Sequence, residues 1–203
     1  MLNKNQVIEL RESLNNKGYC QVNNVLHPEL KKYLQIGSYI LENQSSKENN
    51  TKEDVVHTKS TNSKVMYSSN LGESLLVYFT EIYSKISGKN LIPTYSFYRK
   101  YYKTNILLPH KDRPSCQYSA TIQINSSVDK SWNFFLKDKQ GQKVECKTKV
   151  GDIIFYKGQE VEHWREELEY EHSSHFFLHW VDKDDPQYKK HWFDGRSGLG
   201  IPR

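Results

Sequence analysis

A histidine and an aspartate stand two residues apart at His110 and Asp112, within the stretch that runs from Leu107 to Asn125. On an extended backbone residues so spaced project to one side, so an imidazole and a carboxylate here can both reach one cation at roughly 2.0–2.2 Å. A third donor completes such a site, and His163 is the candidate. It closes the segment Gly151-Asp-Ile-Ile-Phe-Tyr-Lys-Gly-Gln-Glu-Val-Glu-His163, in which an apolar strand, a glycine turn and a second strand return a histidine toward the first pair. Two imidazoles and one carboxylate on one face leave coordination positions open, the donor set of non-haem Fe(II) chemistry. The spacing alone is weak evidence, because His27-Pro28-Glu29 has the same form and sits where a helix begins, with Pro28 in its first turn.

The elements that must position these groups follow from periodicity. Tyr118 to Ile124 alternates as a half-buried strand does, and from Leu91 onward short strands are punctuated by turns at Asn105, Gly141 and Gly158. Ahead of them, Val7, Ile8, Leu10 and Leu14 before Gly18 give an amphipathic helix over Asn5–Asn16. A strand over Tyr19–Val25 follows, then a helix from Pro28 to Leu41. Leu71, Leu75, Leu76, Phe79, Ile82, Tyr83 and Ile86 before Gly88 mark the strongest helix. Glu42–Ser63 is rich in Asn, Gln, Ser, Lys and Thr; it buries too little apolar surface to offset its ordering entropy and reads as a mobile loop, either a cover for substrate or an inert insertion. After Val181 a polar, Gly-rich tail is expected to drape over the domain with Trp192 and Phe193 as anchors.

A chain of 203 residues suits one domain with its own core. The net charge of +5 comes from 29 basic and 24 acidic residues that are interspersed, which describes a solvated surface rather than a nucleic-acid interface. Cys20, Cys116 and Cys146 are too scattered for a structural zinc site and are expected as reduced thiols. No window approaches a membrane span, so the expectation is a cytoplasmic protein without membrane contact, monomeric or homodimeric.

Taken together, Pro93–Arg99, Tyr102, His110-x-Asp112-Arg-Pro-Ser-Cys116, Trp132, Gly151-Asp152, Tyr156-x-Gly158, His163-Trp-Arg-Glu166 and Phe177-Leu-His-Trp180 resemble, in order and spacing, the 2-oxoglutarate- and Fe(II)-dependent dioxygenases, in particular the small prolyl-hydroxylase-like members of bacteria and phages. The resemblance implies an α+β protein that is mainly β: a double-stranded β-helix, or jelly roll, over about residues 91–181, buttressed by a helical part over 1–90 and followed by the tail at 182–203. It implies Fe(II) on His110, Asp112 and His163, with 2-oxoglutarate and O₂ as co-substrates. The expected reaction is hydroxylation of an unactivated C–H of a small-molecule, amino-acid or peptidyl substrate, with release of succinate and CO₂. Oxidative demethylation remains open, as does a cupin-like binding protein without turnover. Many members fill one position downstream of the second histidine with the basic anchor of 2-oxoglutarate, and here that position is Ser173. Arg165, two residues after His163 and on the same strand face, is the substitute; its alternative is an ion pair with Glu162 or Glu166. Tyr102 is the candidate hydroxyl donor to the same carboxylate or else a core tyrosine. Arg113 is placed near the mouth, either on an anionic ligand or capping its loop. His175 and His179 share a face of the last strand, Trp132 lines the pocket or packs beneath a strand, and Trp164 faces outward.

Overall fold

The computed structural model describes residues 2–44 and 63–201. Most of the expected Glu42–Ser63 loop, with any covering role, lies outside the described residues. Helix α1 (Lys4–Lys17) opens with a reciprocal cap in which the Asn3 side chain accepts from the Gln6 backbone and the Gln6 side chain accepts from that of Asn3. It stops at Gly18, whose φ of 84° is the left-handed region, and a Cβ there would lie 2.5 Å from Val161. Strand β1 (Tyr19–Val22) is shorter than its apolar run because Asn24 turns the chain at φ 51° and its N–H donates to Asp152. Helix α2 (Pro28–Gln44) extends past the expected Leu41. Strand β2 (Lys64–Tyr67) was too short and too close to the polar stretch to be marked by periodicity. Helix α3 (Asn70–Ser87) is capped by Ser69 and ends at Gly88.

The strands are β3 (Leu91–Tyr102), β4 (Leu107–His110), β5 (Tyr118–Ser126), β6 (Phe134–Lys137), β7 (Lys143–Cys146), β8 (Ile153–Tyr156), β9 (His163–Arg165) and β10 (His172–Asp182). They form a larger sheet in the order β1-β8-β5-β10-β3-β2 and a smaller one in the order β4-β9-β6-β7, with antiparallel pairing throughout. This is the jelly roll with helical buttress. The short β1 and β2 come from the helical part of the chain yet occupy the two edges of the larger sheet, so the helix and strand regions interleave.

Each strand of the larger sheet has two different faces. On β5 the outer residues Tyr118, Ala120, Ile122 and Ile124 join Phe176, Leu178 and Trp180 of β10 and Leu75, Leu76, Phe79 and Tyr83 of α3 in the main core. Trp180 Nε1 donates to Thr80 at 2.9 Å, and the Tyr83 hydroxyl donates to the Tyr156 carbonyl at 2.9 Å, which fixes α3 on the sheet. The alternate residues Ser119, Thr121 and Gln123 are as buried as the apolar ones, so the polar face of β5 points into the space between the sheets.

Pro186–Gly195 crosses back over β3 in a 3₁₀ path interrupted by left-handed backbone at Phe193 and Asp194 (φ 52° and 58°). Trp192 and Phe193 are only partly buried; the buried anchors are Asp194 and Arg196. Asp194 receives both Nη atoms of Arg113 at 2.9 Å and the Tyr67 hydroxyl at 2.5 Å. Arg196 donates to Glu73 of α3 at 2.6 Å and to the Thr94 carbonyl at 3.0 Å. Hydropathy could not single out these anchors, because charged residues hold the tail where aromatic ones were expected.

Candidate metal centre and anion pocket

His110 is the last residue of β4 and His163 the first of β9, and the two face each other directly across the smaller sheet. Asp112 lies beyond the strand rather than on it, held by its N–H donating to the Gly158 carbonyl at 2.9 Å. The side chains converge: the His163 and His110 Nε2 atoms lie 3.5 and 3.7 Å from Asp112 Oδ1, and the imidazole centroids are 4.3 Å apart. One donor atom from each falls within 4.8 Å of the others.

The backbone selects the tautomers. His110 Nδ1 lies 2.8 Å from the Leu108 carbonyl and His163 Nδ1 3.1 Å from the Val161 carbonyl. A carbonyl only accepts, so each Nδ1 carries a proton and each Nε2 is aimed at Asp112. Burial opposes the charge on Asp112, but the facing His163, then His179 and His110, outweigh it and hold the carboxyl below its usual range. Two imidazoles and one carboxylate aimed at a common point are a divalent-cation donor set.

Arg165 shares the inward face of β9 with His163 and is 1 % exposed, while Trp164 between them stacks outward on Phe135. One Nη donates to the Trp132 carbonyl; the other makes long contacts of 3.4 Å to Thr121 Oγ1 and His175 Nδ1. Its Nε has no hydrogen-bond partner. Among the described residues no carboxylate pairs with it: Glu162 pairs with Lys137 and Glu166 with Lys143, which removes the ion-pair alternative. Burial pulls the guanidinium down to about 10 from 12.5. Trp132 and Phe134 lie against it at 5.0 and 5.2 Å, and Tyr101 and His175 complete the wall through Trp132 at 4.7 and 5.7 Å. Ser173, at the usual anchor position, is bonded to His175 Nε2 at 2.8 Å.

Two expected pocket residues are not brought in. Tyr102 lies on the helix-facing side of β3 with Tyr98 and Lys100, and the Lys100 ammonium sits 5.6 Å from its ring. The neighbour Tyr101 occupies the inner face, as the alternation through Arg99 requires. Arg113 spends both Nη atoms on Asp194 and stacks on Tyr95 at 4.5 Å, so it secures the tail. Conversely, the sequence carries no signal for Ser119, which donates to Asp112 Oδ2 at 2.7 Å and lies 3.0 Å from His179 Nδ1. Gly158 is also part of the site: a Cβ there would lie 2.2 Å from Asp112 Oδ2 and 2.4 Å from the Cys116 carbonyl, so only glycine admits the carboxylate.

No family model and no curated protein matches the sequence. Solved structures do match the fold. A prolyl-4-hydroxylase from Pseudomonas putida superposes with a TM-score of 0.63 at 12% identity, over 85% of this chain and 97% of that one. The epimerase SnoN, in complex with Fe3+, alpha ketoglutarate and nogalamycin RO, gives 0.71 at 11% identity, over 89% and 85%. A prolyl hydroxylase from Trichoplax adhaerens, in complex with a hypoxia inducible factor oxygen degradation domain peptide, gives 0.65 at 12% identity, over 93% and 98%. The chain has the jelly-roll fold that these prolyl hydroxylases and the epimerase share.

Proposed function

We propose that this chain is an Fe(II)- and 2-oxoglutarate-dependent dioxygenase that hydroxylates an unactivated C–H of a small-molecule, amino-acid or peptidyl substrate. The observation that carries the reading is the convergence of His110, Asp112 and His163 in one wall, with a buried Arg165 that lacks a carboxylate on the same face of β9. Both groups fit the residues present. The two Nε2 atoms and Asp112 Oδ1 are aimed at a common point, and the orphaned Nε of Arg165 asks for an anion that the protein does not supply.

His110, Asp112 and His163 would hold the iron and Arg165 the far carboxylate of 2-oxoglutarate. Iron bound with 2-oxoglutarate and O₂ supplies the oxidising power, with succinate and CO₂ as the products of the co-substrate. The chain contributes orientation and dryness. The Leu108 and Val161 carbonyls lock the imidazole planes, so the donors need no reorganisation on loading. Trp132, Phe134 and Tyr101 close the pocket around Arg165 with apolar surface, which strengthens a guanidinium–carboxylate contact by excluding water. The absence of a basic residue at Ser173 moves the anchor from β10 to β9. A peptide on one structural neighbour and nogalamycin RO on another support an organic C–H substrate without selecting between a peptide and a small molecule.

The test is anaerobic addition of Fe(II) and 2-oxoglutarate to the folded protein. The expected result is the visible charge-transfer band of a chelated 2-oxo acid, lost in His163→Ala together with iron-dependent succinate formation. No band from the wild-type protein, or unchanged turnover in His163→Ala, refutes the assignment.

A further inference from the structure

Asp112 has two oxygens in different company. Oδ1 faces the two imidazole Nε2 atoms, whereas Oδ2 accepts from the Ser119 hydroxyl at 2.7 Å and lies against Gly158. The same hydroxyl lies 3.0 Å from His179 Nδ1 and 3.2 Å from the Cys116 carbonyl, and the Tyr156 hydroxyl also bonds to it. A serine has one proton and a carboxylate cannot donate, so a bond to Oδ2 requires that Ser119 give its proton to Asp112 and receive one from His179 Nδ1–H. His179 is buried, with its ring 4.6 Å from that of Tyr95. It is therefore held in one orientation by packing.

We infer that Ser119 and His179 form a two-residue positioning relay that reserves Oδ2 of Asp112 and leaves Oδ1 alone to the cation. The inference rests on the metal-site reading above. Without the relay the carboxylate can rotate or bind through both oxygens, consuming a coordination position that the co-substrates need. Along this path His179 acts through Ser119: if its donor is removed, the serine proton is free to turn to the Cys116 carbonyl and Oδ2 loses its partner. Neither residue touches the reacting atoms, so the expected signature lies in cation affinity.

The experiment is titration of the full-length, metal-free protein with Mn(II), with the free ion counted by electron paramagnetic resonance, a readout that needs no turnover. The wild-type protein is expected to bind one ion, and Ser119→Ala to bind it about 10- to 100-fold more weakly, the range for loss of a group that orients a metal ligand. His179→Phe keeps the ring packed on Tyr95, removes the donor, and is expected to weaken binding in the same direction. The double variant is expected to bind no more weakly than Ser119→Ala alone, because the two changes act along one path. Far-UV circular dichroism checks that each variant is folded, and should Ser119→Ala fail that check, His179→Phe decides the matter. A folded Ser119→Ala or His179→Phe that binds Mn(II) within twofold of the wild type, or additive losses in the double variant, overturns the relay while leaving the metal site intact. Failure of the wild-type protein to bind overturns both.

Discussion

Replacing Arg165 with methionine separates a ligand anchor from a structural arginine by moving two quantities in opposite directions. The guanidinium is buried at 1 % exposure without a carboxylate, and its fall from 12.5 to about 10 corresponds to roughly 3 kcal/mol of folding stability lost at neutral pH. The sign follows from proton linkage. A base whose folded-state value is lowered binds its proton more tightly when unfolded, so the penalty is full below the folded value and disappears as pH rises above the unfolded one. Methionine keeps much of the apolar stem but leaves the Trp132 carbonyl without its donor, a cost of about 1–3 kcal/mol. The metal-free variant is therefore expected to match or exceed the wild type by up to about 2 kcal/mol, a rise of a few degrees in Tm for a chain of this size. The affinity for 2-oxoglutarate, measured by calorimetry on the Mn(II) form, should fall about 10²–10³-fold, as about 3–4 kcal/mol of buried charge pairing is lost. An Arg165→Met protein destabilised by more than about 2 kcal/mol that still binds 2-oxoglutarate normally would refute the reasoning.

Gly158→Ala places a methyl 2.2 Å from Asp112 Oδ2, and Mn(II) binding should be lost even if the fold persists by circular dichroism. Tyr102→Phe should leave 2-oxoglutarate affinity within about twofold of the wild type in the same calorimetric assay, because the ring lies on the far face of β3. Asp194→Asn breaks a two-pronged pair with Arg113 whose acidic partner is buried, and urea unfolding at pH 7 should register a loss of about 3–5 kcal/mol. Burial opposes the Asp194 charge, but Arg113 and Tyr67 hold the carboxyl below its ordinary range, so its stabilisation is complete above the unfolded value of about 3.9 and vanishes as pH drops through the folded one. The wild type should thus lose stability below pH 4 along a slope that Asp194→Asn lacks.

Much of this architecture is legible in the residues. The helix carrying Leu75, Leu76, Phe79 and Tyr83 announces itself by period, and Ser119-Ala-Thr-Ile-Gln-Ile124 by alternation. The three converging donors were also in reach, and His110 at the end of β4 pairs with His163 at the start of β9. What periodicity could not give was the value of a polar face. Ser119, Thr121 and Gln123 read as the solvent side of a half-buried strand, yet a second sheet covers them, so they become the lining of the site. Tyr101 and not Tyr102 faces the space between the sheets, as the one-residue alternation of β3 dictates. Asp194 and Arg113 lie 81 positions apart, and no local pattern links a charge in the tail to a loop beside the metal ligands.

That distance also sets an order of events during synthesis. Arg113 follows Asp112 directly, and the partner that pins it leaves the ribosome 81 residues later. Until then the nascent chain has neither the tail's hold on Arg113 nor the Arg196 tie to Glu73. A product cut short before Asp194 would carry all three metal donors and still lack the brace that keeps one of them in place.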